Sequence, residues 1–240
     1  MTRLPLMLML IFLGAGASAY AQKEIQPGKH QQPAAVQLEN VHIKAQSVES
    51  FFSKFSFTHN VPVGLEIASN DNEFIIHDLE LDKGTVADLL NQFVKAYNQY
   101  TWQTVDGVIN VFPKESYRDL AMAELLKTRI ASFNIGENTS CFRFVDSLLA
   151  TPEVKNQLAA SGISQSGLNF SGGYFPQLGR SFTLDVSDMT LRSILNKVAK
   201  ESPLARMWVA KKYGTRQEFF IHLQAVHPDS PPEADFKVTP

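Results

Sequence analysis

The chain has 240 residues, 44% of them hydrophobic, and carries 22 Lys plus Arg against 24 Asp plus Glu. That near-neutral balance excludes a general nucleic-acid binder, which needs a clustered basic surface. A single cysteine, Cys141, excludes a disulfide within the chain, so stability has to come from a packed apolar core.

The first residues read as an export signal. Arg3 gives a basic start, Leu4 to Leu13 an apolar run, and Ala17-Ser18-Ala19 or Ala19-Tyr20-Ala21 a small-residue cleavage site. The apolar run has about half the roughly 20 residues that a membrane span requires. Residues 1–21 are therefore expected to be removed, leaving a periplasmic or secreted chain with no transmembrane segment and a net charge of −3. Residues 22–35 and 226–240 are rich in Pro, Gln and charged or small residues, the composition of mobile tails.

Between the tails, Val41-His42-Ile43 alternates as a strand does, and Ser47 is placed to cap a helix carrying Phe51, Phe52 and Phe55. Val61 to Glu66 reads as a short strand. Leu79 and Leu81 then alternate with Glu80 and Asp82, and Thr85 with Asp88 three residues on makes a capping box for a helix with the stripe Val86, Leu89, Leu90, Phe93 and Val94. Asp106-Gly107, between Tyr100 to Val105 and Val108 to Phe112, predicts a two-residue hairpin because its turn needs positive φ. Residues 36–114 thus form one module, in the order strand, helix, two strands, helix, two strands. Glu115 to Lys127 reads as a helix with Tyr117, Leu120, Ala121 and Leu125 available to a neighbour, and 115–129 as a stiff linker.

A second module follows over 130–225. Residues 184–200 repeat residues 79–95 at a constant spacing of 105, pairing Leu184 with Leu79, Thr190 with Thr85 and Leu195 with Leu90. After one extra residue the match resumes at Trp208, the counterpart of Trp102, and the chain has only these two tryptophans. Cys141 falls in the first turn of the second module's first helix, where a small buried apolar residue is expected. Residues 151–180 are an insertion. Thr151-Pro152-Glu153 opens an extra helix ending near Gly162, and a Gly/Ser-rich loop with Phe170, Tyr174 and Phe175 follows. The fold class is α+β, as two tandem divergent modules.

An exported module of this order, with a Thr-capped helix of the form T-x-x-x-L-L, resembles the short N-terminal domain shared by secretins and TonB-dependent receptors. The residues carrying the resemblance are Ile43 to Glu66 and Ile75 to Phe112, including Thr85, Leu89, Leu90 and Asp106-Gly107. It implies a periplasmic, non-enzymatic domain that contacts other envelope proteins. Neither a secretin core nor a receptor barrel follows here, so the resemblance implies protein binding rather than channel or receptor function.

No motif argues for catalysis. The six histidines form neither H-E-x-x-H nor a short-range metal pair, and G-x-S-x-G and S-x-x-K are absent. No cofactor, metal or catalytic residue is expected. Charge is more informative: residues 36–114 carry 10 acidic and 5 basic side chains, and 180–216 carry 3 and 8. The sequence therefore points to a non-catalytic periplasmic adaptor that binds an envelope protein, an outer-membrane or secretion component, and can also self-associate. Its expected contacts are the module sheet edges, the loop aromatics Phe170, Tyr174 and Phe175, and a basic surface of Arg180, Arg192, Lys197, Lys200, Arg206, Lys211, Lys212 and Arg216. The alternatives are an envelope enzyme or carbohydrate binder with a site of Tyr174, Arg180 and Asp185 near the insertion, and a structural subunit assembling head to tail through its opposite charges.

Overall fold

A computed structural model describes residues 32–68, 77–136, 141–165, 183–202, 205–212 and 218–225. The loop residues Phe170, Tyr174, Phe175 and Arg180, the basic Arg216, the signal segment, residues 22–31 and residues 226–240 lie outside the described residues; the end of the expected N-terminal tail is instead a 3₁₀ turn at Pro33–Ala35, with Ala34 packed against the first copy's core. The fold class is α+β.

The first copy runs β1 (Gln37–Ala45), α1 (Val48–His59), β2 (Val63–Glu66), β3 (His77–Thr85), α2 (Val86–Ala96), β4 (Tyr100–Val105) and β5 (Val108–Pro113). Its local signals act as their chemistry predicts. The Ser47 and Ser50 hydroxyls cap α1 reciprocally. At α2, Thr85 Oγ1 accepts from the Asp88 N–H at 3.2 Å, and Asp88 Oδ2 accepts from the Thr85 N–H at 2.8 Å. Asp106 and Gly107 take φ of 55° and 78°, so the β4–β5 turn has positive φ at both central positions. Leu38, Val41 and Ile43 on β1 and Leu81 on β3 are buried with the phenylalanines of α1 and the Leu89, Leu90, Phe93 stripe of α2.

The segment expected to be a stiff linker helix is instead a 3₁₀ turn at Glu115–Tyr117, an extended Arg118, and α3 (Leu120–Lys127), which Asp119 caps by accepting from the Met122 N–H. It is not a spacer. Met122, Leu125 and Leu126 are buried in the second copy's core, because that apolar face is wide enough to need covering. Leu120, expected to face a neighbour, is 73% exposed.

The second copy runs β6 (Arg129–Ile135), α4 (Cys141–Leu149), the inserted α5 (Pro152–Ser161), β7 (Ser164–Gln165), β8 (Leu184–Thr190), α6 (Leu191–Glu201), β9 (Ala205–Lys212) and β10 (Glu218–Ala225). α5 starts with Pro152 in its first turn and ends at Gly162 in the left-handed conformation. Thr151 does occupy the N-cap position, but its hydroxyl donates back to the Leu148 carbonyl rather than capping α5.

The same pairing pattern recurs in both copies. The strands before the first and second helices pair antiparallel as a two-stranded ribbon, β1 with β3 and β6 with β8. The remaining strands form one sheet shared by the copies, in the order β4-β5-β2-β9-β10-β7. Within it β4–β5 and β9–β10 are antiparallel, while β2–β5, β2–β9 and β10–β7 are parallel. The two halves of this sheet thus repeat one strand order with direction reversed.

Their helices lie on opposite faces. Alternate residues of β9 make this visible, since Met207 and Val209 join the core under α1 and α2, whereas Trp208 and Ala210 join the core under α4 and α6. β2 is buried at all four positions because a parallel strand in the middle of a sheet covered on both faces leaves no residue for solvent.

Candidate strand-docking site

The junction between the copies is built from polar groups that neither core can omit. Glu66, 2% exposed on β2, accepts from Arg118 at 2.8 to 3.0 Å and pairs with Arg192 of α6. Arg192 also donates to Asn110 Oδ1 at 3.3 Å and lies over the Trp208 ring. Asn196 donates to the Val105 carbonyl at 3.4 Å, and Lys200 reaches the Asp106 carbonyl at 3.3 Å. Two further bridges cross between the copies or their connection: Lys211 with Glu49 at 3.0 Å and Lys212 with Asp119 at 2.8 Å.

These contacts change the reading of the basic residues. Arg192, Lys211 and Lys212 are largely buried in ion pairs within the chain, so the opposite charges of the two copies face each other inside the molecule. Lys197 pairs with Glu201 on its own helix, and Arg206 donates to the Lys200 carbonyl. Three of the six described members of the expected basic surface are thus drawn into ion pairs inside the molecule, while Arg206 lies against the end of α6, the helix that carries Lys197 and Lys200. Sequence could assign their charge but not their partners, which come from up to 162 residues away.

Glu49 occupies the most perturbed of these environments. Burial alone would raise its carboxyl, but hydrogen bonds and charge attraction from His222 and Lys211 outweigh it and bring the pKa down to about 2. His222 Nε2 lies 3.1 Å from Glu49, while its Nδ1 is buried without a hydrogen-bond partner. His42 bonds Asp78 at 2.8 Å, with Glu80 at 3.5 Å, on the exposed face of the β1–β3 ribbon. These three are the only described group of His, Cys and acidic side chains close enough to share a cation. All three are exposed, and Asp185, proposed for an enzymatic site, is an exposed residue of β8.

One end of the shared sheet is the β4 edge. Among the described residues no strand pairs with the outer side of β4, whose sequence Tyr100-Thr101-Trp102-Gln103-Thr104-Val105 is uncharged and rich in aromatic and β-branched residues. Proteins usually guard such edges with charge, Pro or a bulge, and β4 has none of these. In the second copy β9 occupies the place of β4, and its outer side is filled by β2. Trp208 Nε1 donates to Asn196 Oδ1 at 2.8 Å, as Trp102 Nε1 donates to Asn91 Oδ1 at 3.1 Å, so both indoles are pinned by the corresponding asparagine of the preceding helix.

The occupant of the β9 edge is matched to its indole. Gly64 lies opposite Trp208, and a Cβ at Gly64 would lie 2.4 Å from the ring carbons Cε2 and Cζ2. Trp208 is fully buried, whereas Trp102 is only partly so and Asn91 is exposed. Sequence gave the pairing of the two tryptophans but not this asymmetry, which depends on which edge of the sheet each copy leaves open. No helix of the described residues is long and apolar enough to cross a membrane. Comparison of the chain with known protein families, with curated proteins and with solved structures found no match.

Proposed function

We propose that this protein is a non-catalytic interaction adaptor of the bacterial envelope, which acts after removal of residues 1–21 and captures another polypeptide at the β4 edge. The observation that carries this reading is the uncharged outer side of β4, the counterpart of an edge that already holds a strand in the second copy. Backbone groups along an open edge bind an extended segment, and the side chains beside them select it. The resemblance of residues 36–113 to the short N-terminal domain of secretins and TonB-dependent receptors supports the same reading, as does the lack of a catalytic motif. An outer-membrane or secretion component is the partner class that this resemblance suggests.

A photo-crosslinking residue at exposed Gln103, with a second at exposed Lys155 on α5 as control, tests the site in intact cells. A discrete adduct from position 103 that disappears when Thr104 is replaced by Pro supports strand capture. Equal adducts from both positions, or hydrolysis of envelope polysaccharide by the purified mature chain, overturn it.

A further inference from the structure

We infer that the segment accepted by β4 is an extended stretch of a different polypeptide, running parallel to β4 and placing a glycine opposite Trp102. The inference rests on the strand-capture reading above and adds the identity of the recognised feature. Its basis is the junction inside the chain, where one copy of this module already holds a strand on the corresponding edge.

At that junction β2 runs parallel to β9, with Val63 opposite Met207, Gly64 opposite Trp208 and Leu65 opposite Val209. The indole leaves no room for a Cβ on the neighbouring strand, since Cε2 and Cζ2 of Trp208 would lie 2.4 Å and Nε1 2.6 Å from it. Glycine is thus required by close approach, not by a turn. Trp102 stands at the matching position of β4, with its Nε1 held by Asn91 as Trp208 is held by Asn196. Two α6 groups that grip the first copy also have counterparts beside β4. Asn196 and Lys200, which donate to the carbonyls of Val105 and Asp106, correspond to the exposed Asn91 and Lys95 on α2.

The differences between the two edges define the rest of the ligand. Where β9 has Met207 and Val209, β4 has Thr101 and the exposed Gln103, so residues flanking the glycine face a polar surface and are themselves polar. Arg192, which holds Glu66 of the docked strand, is replaced by Ala87 in the first copy, so no acidic residue is demanded two positions after the glycine. A second copy of this chain does not offer such a segment from its own Gly64 strand, because β2 is paired on both sides, by β5 and β9. The recognised sequence is therefore of the type polar-Gly-polar in a segment free to extend.

The probe is a nine-residue peptide copying residues 60–68 with Val63 and Leu65 each replaced by Thr, titrated into the ¹⁵N-labelled mature chain. The Trp102 indole N–H and the amides of Thr101 to Val105 are followed, with the Trp102→Phe variant used to assign the indole signal. The glycine peptide is expected to shift these resonances, and its Gly64→Val version to bind at least roughly tenfold more weakly, the scale of an overpacked contact. In the Trp102→Ala chain the two peptides should bind alike. Equal binding of both peptides to the native chain refutes the glycine requirement while leaving strand capture standing. Failure of both to shift β4 overturns the inference, and the Gln103 crosslink then judges strand capture on its own. Dimerisation of the chain in sedimentation velocity that Thr104→Pro abolishes would overturn the choice of a different polypeptide as occupant.

Discussion

Replacing Gly64 by alanine places a methyl group 2.4 Å from Cε2 and Cζ2 of Trp208, where carbon atoms ordinarily rest at about 3.5 to 4.0 Å. Something must move by more than an ångström. β2 cannot, because β5 and β9 hold it on both sides and all four of its residues are buried. The indole is equally constrained, fully buried and bonded at 2.8 Å to Asn196, itself buried.

The cost therefore belongs at the upper end of the overpacking range, about 3 kcal/mol. The lower entropy of the unfolded alanine chain returns about 0.5 to 1 kcal/mol, for a net loss near 2 kcal/mol. Urea unfolding of Gly64→Ala, Trp208→Phe and the double variant separates the clash from the general loss of packing. If the methyl and the indole collide, the double variant should be more stable than the summed single effects by at least about 1 kcal/mol, the coupling expected of residues in contact. A Gly64→Ala chain within about 0.5 kcal/mol of the native protein, or strictly additive effects, would refute the reasoning and with it the glycine requirement at β4.

Glu66→Gln should cost about 3 to 5 kcal/mol in the same assay, because Arg118 and Arg192 would keep buried charges with no counter-ion. Glu49 predicts an acid limb in stability. Its folded pKa of about 2 lies below its ordinary 4.5, so the stabilisation is complete above pH 4.5 and is lost as pH falls through about 2. The difference corresponds to about 3 kcal/mol at most, and Glu49→Gln should flatten that part of a pH titration followed by circular dichroism. Thr85→Ala should destabilise by about 1 kcal/mol through loss of the α2 cap, read from the shift in urea midpoint.

Much of the fold is legible from short-range chemistry. The Thr85–Asp88 box, the Asp106-Gly107 turn and the spacing of Leu89, Leu90 and Phe93 each act within one turn of helix or one hairpin, and such signals survive in a single sequence. The linker is illegible for the complementary reason. Residues 115–127 have a helical composition, but the decision to break at Arg118 follows from its bond to Glu66, 52 residues earlier. The basic residues were legible as charge and illegible as surface, because burial of Arg192, Lys211 and Lys212 depends on which module face they meet. The docking edge was half legible. The two tryptophans marked equivalent strands, while the openness of one edge and the closure of the other depend on the order of strands across the sheet.

The pairing of β2 with β9 also determines when the molecule can fold. Residues 63–66 must wait for residues 207–210, so the central sheet closes by one of the longest-range contacts the chain offers. Contacts of this kind slow folding, since the entropy of closing the intervening loop is lost before any burial compensates it. A chain emerging from the ribosome lacks the strand that covers Gly64, and Arg192, the second of the two arginines on Glu66, until residues 192 to 210 have been made. Until then β2 is open on one side, and of the two arginines only Arg118 can reach Glu66.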